Sequence, residues 1–372
     1  MDQRRAFLRL LAGLPAGMLL PARATQAKAT VEFPAVVPGR PLVFPRDHGA
    51  HPDFRSEWWY ATGWLTLADG RPLGFQSTFF RIRTGLGEDN PSAFAPRQLI
   101  VAHAALADPR LGRLRHDQRR ARSGFERAGF ASGRTAVWLD DWRFEQDGER
   151  YRGSVRAADF AYDLELAAAG PPLANGAGGF SRKGPEPRHA SYYYSRPQLA
   201  VGGTVTLDGR PQAVRGRAWL DHEWSSELLP AGAQGWDWIG INLADGGALM
   251  AFRLRPKPDS TTQRADAAAL WAAATVRTAA GAVRTLPPQA VVFSPQRRWR
   301  SPRTGIDYPV AWRLSIGERQ FELSPLFDDQ ELDSRRSTGV IYWEGAVTLR
   351  EAGREIGRGY LEMTGYGEAI EA

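Results

Sequence analysis

From residue 56 onward, apolar and polar positions alternate over short runs, and Gly, Asp-Gly or Pro falls between the runs. Trp58 to Leu67 is followed by Ala68-Asp69-Gly70, Leu99 to Ala105 is a second such run, and Ile239 to Leu243 leads into Ala244-Asp245-Gly246-Gly247. A period of two with glycine-bearing turns predicts short antiparallel strands, hence an all-β sandwich or barrel. Arg264 to Thr275 is ambiguous because its alanines favour helix. Its second half reads as a strand, since Ala279-Ala280-Gly281 makes a hairpin turn into Val283 to Leu286.

The pattern occurs twice. Gly203-Thr204-Val205-Thr206-Leu207 leads into Gly216-Arg217-Ala218-Trp219-Leu220-Asp221, and Gly345-Ala346-Val347-Thr348-Leu349 leads at nearly the same distance into Gly357-Arg358-Gly359-Tyr360-Leu361-Glu362. The turns Leu67-Ala68-Asp69-Gly70 and Leu243-Ala244-Asp245-Gly246 echo each other inside Trp-rich segments. Duplication of a β domain explains both echoes and their common order. A single hydrophobic core rarely exceeds roughly 250 to 300 residues, so two cores are expected here. The boundary falls near Ser225 to Gly235, where Leu228-Leu229-Pro230-Ala231-Gly232 reads as a linker, giving domains over 30–225 and 226–372.

Residues 1–29 read as an address. Arg4, Arg5 and Arg9 flank Phe7-Leu8, an apolar run follows to Leu20, and Ala22-Arg23-Ala24 and Ala27-Lys28-Ala29 offer small-residue cleavage sites. The order resembles a twin-arginine export signal, and a soluble periplasmic or secreted protein is expected. The whole chain carries a formal charge of +7; losing residues 1–24 removes four arginines and one aspartate and leaves +4. The densest remaining basic stretch, Arg113 to Arg122, also holds His116 and Asp117 and reads as a solvated loop, so nucleic acid is not expected as a partner. The chain has no Cys, which excludes disulfides, thiol nucleophiles and Cys-ligated metals. No Gly-x-Ser-x-Gly elbow, phosphate-cradling loop or dinucleotide fingerprint is present.

The chain's 13 Trp, 10 Tyr and 17 Phe gather beside ionisable residues. One cluster holds Asp47, His48, His51, Asp53, Glu57, Trp58, Trp59 and Tyr60; others are Tyr192-Tyr193-Tyr194, Trp219 to Trp224, and Trp236-Asp237-Trp238. Strand alternation puts Leu220, His222 and Trp224 on one face, and Trp219, Asp221 and Glu223 on the other. Asp237 shares a face with Ile239 and Ile241, so it is expected against an apolar interior that raises its pKa. His103 follows the same logic beside Leu99 and Val101. His48-x-x-His51 offers ligand chemistry, but on a loop rich in Pro and Gly it does not define a metal site. The competing reading for all these groups is structural, as satisfied core residues.

The segments Phe44-Pro45-Arg46-Asp47-His48-Gly49, Glu57-Trp58-Trp59-Tyr60, Ala190-Ser191-Tyr192-Tyr193-Tyr194-Ser195, Ala218 to Trp224, Gly235-Trp236-Asp237-Trp238, Tyr342-Trp343-Glu344-Gly345 and Gly359-Tyr360-Leu361-Glu362 together resemble the lipocalin-like family of bacterial carotenoid 1,2-hydratase and the AttH proteins. The resemblance runs from about residue 40 to the C-terminus. It implies two tandem lipocalin-like (calycin-type) antiparallel β-barrels and, for the hydratases, addition of water to an acyclic carotenoid double bond without a redox cofactor. Many relatives are exported and accompany transporter permeases. On that basis Asp221 or Asp237 is expected as the acid and His222 as the group that positions water. Glu57, Trp59, Tyr60, His103, Tyr192, Tyr194, Glu223, Trp224, Trp236 and Trp238 are expected to line the pocket for a carotenoid, isoprenoid or lipid. A non-catalytic hydrophobic-ligand carrier or a transporter accessory is the alternative.

Overall fold

The computed structural model describes residues 31–257 and 269–367, so the segment expected to be an export signal and the first part of the Arg264 to Thr275 segment lie outside the described residues. Among the described residues there is no α-helix; strands run from Ser56 to Met363 and form two antiparallel sheets. The first sheet comprises 13 strands and ends with Arg210–Ser225; the second comprises ten and begins with Ala233–Leu243. The first is curled into a nearly closed barrel and the second into a half-barrel, the arrangement of tandem lipocalin-like barrels. Both lie in a compact unit that begins at Phe33.

The duplication is visible in the hairpins. In the first sheet, Ala190–Leu207 turns into Arg210–Ser225 through Asp208 and Gly209, with φ of 52° and 74°. In the second, Ile341–Glu351 turns into Arg354–Met363 through Ala352 and Gly353, with φ of 49° and 77°. Two central residues with positive φ make the tight turn whose twist matches the flanking strands. Each returning strand then pairs with the opening strand of its own sheet, Ser56–Leu67 in one case and Ala233–Leu243 in the other. The hairpin expected at Ala279-Ala280-Gly281 forms, with Trp271–Arg277 pairing to Val283–Leu286.

The basic stretch Arg113–Arg122, expected as a loop, is instead the edge strand of the first sheet. Arg115 and Arg119 are ion-paired with Asp208 and Asp141. Charged side chains on an exposed edge also discourage pairing with other chains.

Alternation sorts most of the apolar residues into three large bodies, with two smaller clusters beside them. Trp59, Leu65, Phe79, Trp142 and Leu220 fill the first barrel, and Ile239, Ile241, Trp312, Trp343 and Leu361 fill the second. Tyr60, Trp64, Tyr193, Trp219, Trp238 and Tyr360 point the other way and pack between the two sheets. Each fully buried aromatic side chain of this kind contributes roughly 1.5 to 3 kcal/mol through apolar burial. The sheets approach closely at Gly74, where a Cβ would lie 2.5 Å from the Tyr360 hydroxyl and 2.9 Å from Ala346 Cβ. Directional contacts fix the pairing: the Trp64 indole donates to Gly359 O at 3.0 Å, and Asn242 Nδ2 donates to Ala218 O at 3.1 Å.

Candidate functional site

The strand Arg210–Ser225 carries two polar centres, one on each face. The inner face looks into the first barrel. There Glu57, fully buried, accepts hydrogen bonds at Oε1 from His51 Nδ1 at 2.8 Å and His222 Nε2 at 2.9 Å, and at Oε2 from Arg81 Nε at 2.7 Å. His51 Nε2 reaches Asp47 Oδ1 at 3.2 Å, and its ring lies flat on Trp224, 3.6 Å between centroids. A carboxylate can only accept, so His222 donates from Nε2 and its Nδ1 accepts from the Tyr194 hydroxyl at 3.1 Å. The Tyr194 oxygen in turn accepts from His48 Nδ1 at 3.0 Å.

This centre is charge-balanced. Burial opposes ionisation of Glu57, but hydrogen bonds from His222 and His51 and the Arg81 charge hold it well below the usual carboxylate range. Asp47 is also driven low, the bonds from His51, Arg46 and the Val43 amide outweighing its burial. Burial would lower His51, yet Asp47 and Glu57 on its two nitrogens raise it, so it is held as an imidazolium between two carboxylates. His222 is lowered, chiefly by burial, and His48 is pushed down to about 4 by burial and the Arg196 charge. Donor atoms of His51, Glu57 and His222 converge within 4.8 Å, a spacing that suits a cation. Hydrogen bonds already join both histidines to Glu57, and Arg81 occupies its other oxygen.

The outer face of the same strand looks into the space between the sheets. Asp221 accepts from Tyr193 Oη at 2.7 Å, Ser195 Oγ at 2.5 Å and Trp219 Nε1 at 2.6 Å. Trp238 Nε1 donates to the Tyr193 hydroxyl at 3.1 Å. Glu223 binds Ser191 and pairs with Lys183 at 2.8 Å, whose ammonium lies over the Tyr193 and Phe252 rings. From the second sheet, Glu344 and Glu362 stand directly opposite each other on neighbouring strands. Tyr60 and Tyr342 face Glu344, and Trp236 faces Glu362.

Here the electrostatics reverse. Among the described residues no Lys, Arg or His forms an ion pair with Asp221, Glu344 or Glu362, whereas Glu57 holds Arg81. Burial pushes Asp221 up to about 7 against three hydrogen bonds, and Glu344 up to about 8 against Tyr60 and Tyr342. Glu362 is raised well above its ordinary value by burial and by the charge of Glu344. Directly opposed carboxyl groups of this kind cannot both ionise at low cost, so the pair retains a proton near neutral pH. Glu344 Oε1 and the Tyr60 hydroxyl are buried and face each other without a hydrogen bond of good geometry.

The residues singled out from sequence therefore divide among three places. Glu57, Trp59, Tyr192, Tyr194, His222 and Trp224 lie in or around the first barrel. Tyr60, Asp221, Glu223, Trp236 and Trp238 lie between the sheets. His103 lies at that same interface, with Nδ1 at 2.8 Å from the Tyr342 hydroxyl and Nε2 at 2.8 Å from Ser337 Oγ. Asp237 is in the second barrel with Ile239 and Ile241, but the apolar setting expected for it is corrected: Arg253 and Arg255 pair with it at 2.7 and 3.4 Å, and Tyr366 donates at 2.9 Å. Asp221 and His222, expected to act together, are separated by the strand itself, because adjacent residues point to opposite faces. Glu344, Glu362, Tyr193 and Tyr342 were not among the expected site residues. The repeat held the signal for one of them, since it aligns Leu361-Glu362 with Leu220-Asp221.

Two lipocalin-like sheets packed on a shared cluster of buried acids and aromatic side chains define a tandem-calycin protein. The match to the AttH-like family spans residues 35–366, and the chain belongs to that family. It is similar to a Nitrosomonas europaea protein assigned to AttH, whose crystal structure is 52% identical with a TM-score of 0.83, covering 90% of this chain and 100% of that one. It also resembles kievitone hydratase from Nectria haematococca, at 17% identity and a TM-score of 0.65 over 90% of this chain and 96% of that one, a likeness of fold. No curated protein matches the chain.

Proposed function

We propose that this exported protein binds a hydrophobic isoprenoid or lipid between its two sheets and adds water to a carbon–carbon double bond by acid catalysis. The observation that carries the reading is the opposed pair Glu344 and Glu362, buried beside Asp221 without a cation. A carboxyl group that stays protonated near neutral pH is the donor an unactivated alkene requires. The proton passes from Glu344 to the less substituted alkene carbon, and the π electrons form the new C–H bond, leaving a tertiary cation. The faces of Tyr60 and Trp238, set edge to face at 5.3 Å, offer their ring quadrupoles to that charge. Water then attacks the cation and loses a proton to the carboxylate side of the pair, which restores the starting protonation.

Kievitone hydratase has a hydratase's name on the same fold, which supports the reaction class without supplying the substrate. A second reading, a periplasmic carrier that hands its ligand to a membrane permease, draws on the imperfectly hydrogen-bonded Tyr60 hydroxyl and Glu344 Oε1, which a bound hydroxyl would bridge without chemistry. The test is incubation of the purified mature protein with an acyclic carotenoid, followed by mass spectrometry. Gain of one water that is lost in Glu344→Gln, with fold retained, supports the hydratase. Bound and unchanged carotenoid in wild type and variant alike turns the site into a carrier's.

A further inference from the structure

The duplicated motif builds both walls of one groove. On the outer face of the first-sheet strand, alternation aligns Arg215, Arg217, Trp219, Asp221 and Glu223; on the matching strand of the second sheet it aligns Arg358, Tyr360 and Glu362. Both walls therefore run from guanidinium through aromatic to carboxyl. At the guanidinium end the sheets part into an open groove of about 530 Å³, with Trp64 and Trp219 among its lining and Arg215, Arg217 and Arg358 at its rim. One side chain belongs to both the groove and the acid cluster: the Trp219 indole lines the groove and donates to Asp221.

The cations of this rim are under-used. Arg215 and Arg217 are exposed, and neither pairs with a carboxylate among the described residues; Arg217 donates only to Gln198 Oε1, at 3.3 Å. Arg358 lies 4.8 Å over the Trp64 ring and donates to Glu355 Oε1 at 2.6 Å, the one acidic side chain in the lining. Three guanidiniums against one carboxylate, above an aromatic floor, complement an oxyanion attached to an apolar chain.

We infer that the groove takes the anionic head of an amphiphile, held by Arg215, Arg217 and Arg358, with its apolar chain directed past Trp64 and Trp219 toward the carboxyl pair. The inference rests on the carboxyl pair being the reacting end. Arg217 and Asp221 are four residue steps apart on the strand, about 13 Å, and that distance sets the chain length between head and double bond.

Isothermal titration of the mature protein with dodecyl phosphate, dodecanol and inorganic phosphate tests it. Dodecyl phosphate is expected to bind at least about tenfold more tightly than either dodecanol or inorganic phosphate, and the advantage to disappear in Arg215→Ala/Arg217→Ala. Both substitutions are at exposed positions, so the folded protein is retained for the measurement. Equal affinity for dodecanol, equal affinity for inorganic phosphate, or an unchanged Kd in the double variant overturns the assignment. Glu344→Gln separates the two readings: it leaves dodecyl phosphate binding intact while abolishing any hydration. Arginine-dependent binding without hydration of any alkene sinks the enzyme and keeps the groove. Hydration of a neutral carotenoid with no preference for the phosphate head does the reverse.

Discussion

The two faces of the strand Arg210–Ser225 are a few ångströms apart and have opposite electrostatics. His222 looks into a barrel where every nearby carboxylate is matched, Glu57 by Arg81 and Asp47 by Arg46 and His51. Asp221 looks into the packed seam between the sheets, where Glu344 and Glu362 stand opposed without a cation. Burial is similar on both faces, so depth alone does not decide which acids stay protonated. The partners decide it. A buried charge that is paired and hydrogen-bonded is a structural element, whereas buried carboxyls left to each other form a proton store.

The largest effect should come from breaking the matched side. Glu57→Ala leaves Arg81 and the His51 imidazolium without their common partner, and loss of one member of a buried pair costs about 3 to 5 kcal/mol. Urea unfolding at pH 7 measures it. A loss below about 1 kcal/mol would mean that the network is dispensable and the contrast between the faces is not one of pairing.

Next in size is the response to pH, in which the carboxyl groups of the two faces have opposite signs. Asp47 and Glu57 have depressed native pKa values, so their contribution is present above the unfolded value near 4 and is lost as pH falls. His51 is raised, so its contribution is complete below about 6.5 and is lost as pH rises through its native value. Asp221 and Glu344 are raised carboxyls, which bind more protons in the native state than in the unfolded state between about 4 and their native values near 7 and 8. They therefore erode stability as pH rises through that window. Glu344→Gln should flatten the decline between pH 5 and pH 8, most visibly as a smaller drop in urea midpoint. An unchanged slope would place the proton elsewhere.

How the sheets and their contents were legible follows from the same geometry. Alternation and turn residues were enough for an all-β chain, and the repeated motif anticipated the paired hairpins with their matching turns at Asp208-Gly209 and Ala352-Gly353. Alternation also separated the Asp221 face from the His222 face. What alternation cannot supply is register, and register makes the site. Glu344 meets Glu362 because two particular residues on adjacent strands fall opposite, and Asp237 meets Arg253 for the same reason. A one-residue slip would undo either contact. Arg113–Arg122 was misread because a run of arginines looks solvated, although an edge strand needs polar side chains as well.

A smaller effect is expected at the seam that sets the sheets against each other. Gly74→Ala pushes a methyl group against Ala346 and the Tyr360 hydroxyl, and overpacking of this kind costs about 1 to 3 kcal/mol. Gly202→Ala is the control, since a Cβ there meets nothing within 4 Å. If the two variants unfold at the same urea concentration, the close approach at Gly74 does not constrain the cleft.

The smallest effect probes the stacked imidazolium. His51 lies on Trp224 with planes 8° apart, so the indole adds a cation–π term to the two carboxylates that keep the ring protonated. Exchanging the indole for an aliphatic side chain in Trp224→Leu removes that term, about 0.5 to 1 kcal/mol, and leaves Asp47 and Glu57 in place. The His51 pKa, followed by NMR, should drop by roughly half a unit while remaining above that of His222. A fall that reversed the order of the two histidines would show that the indole, rather than the paired carboxylates, holds the charge, and the matched face would then be less electrostatic than its hydrogen bonds imply.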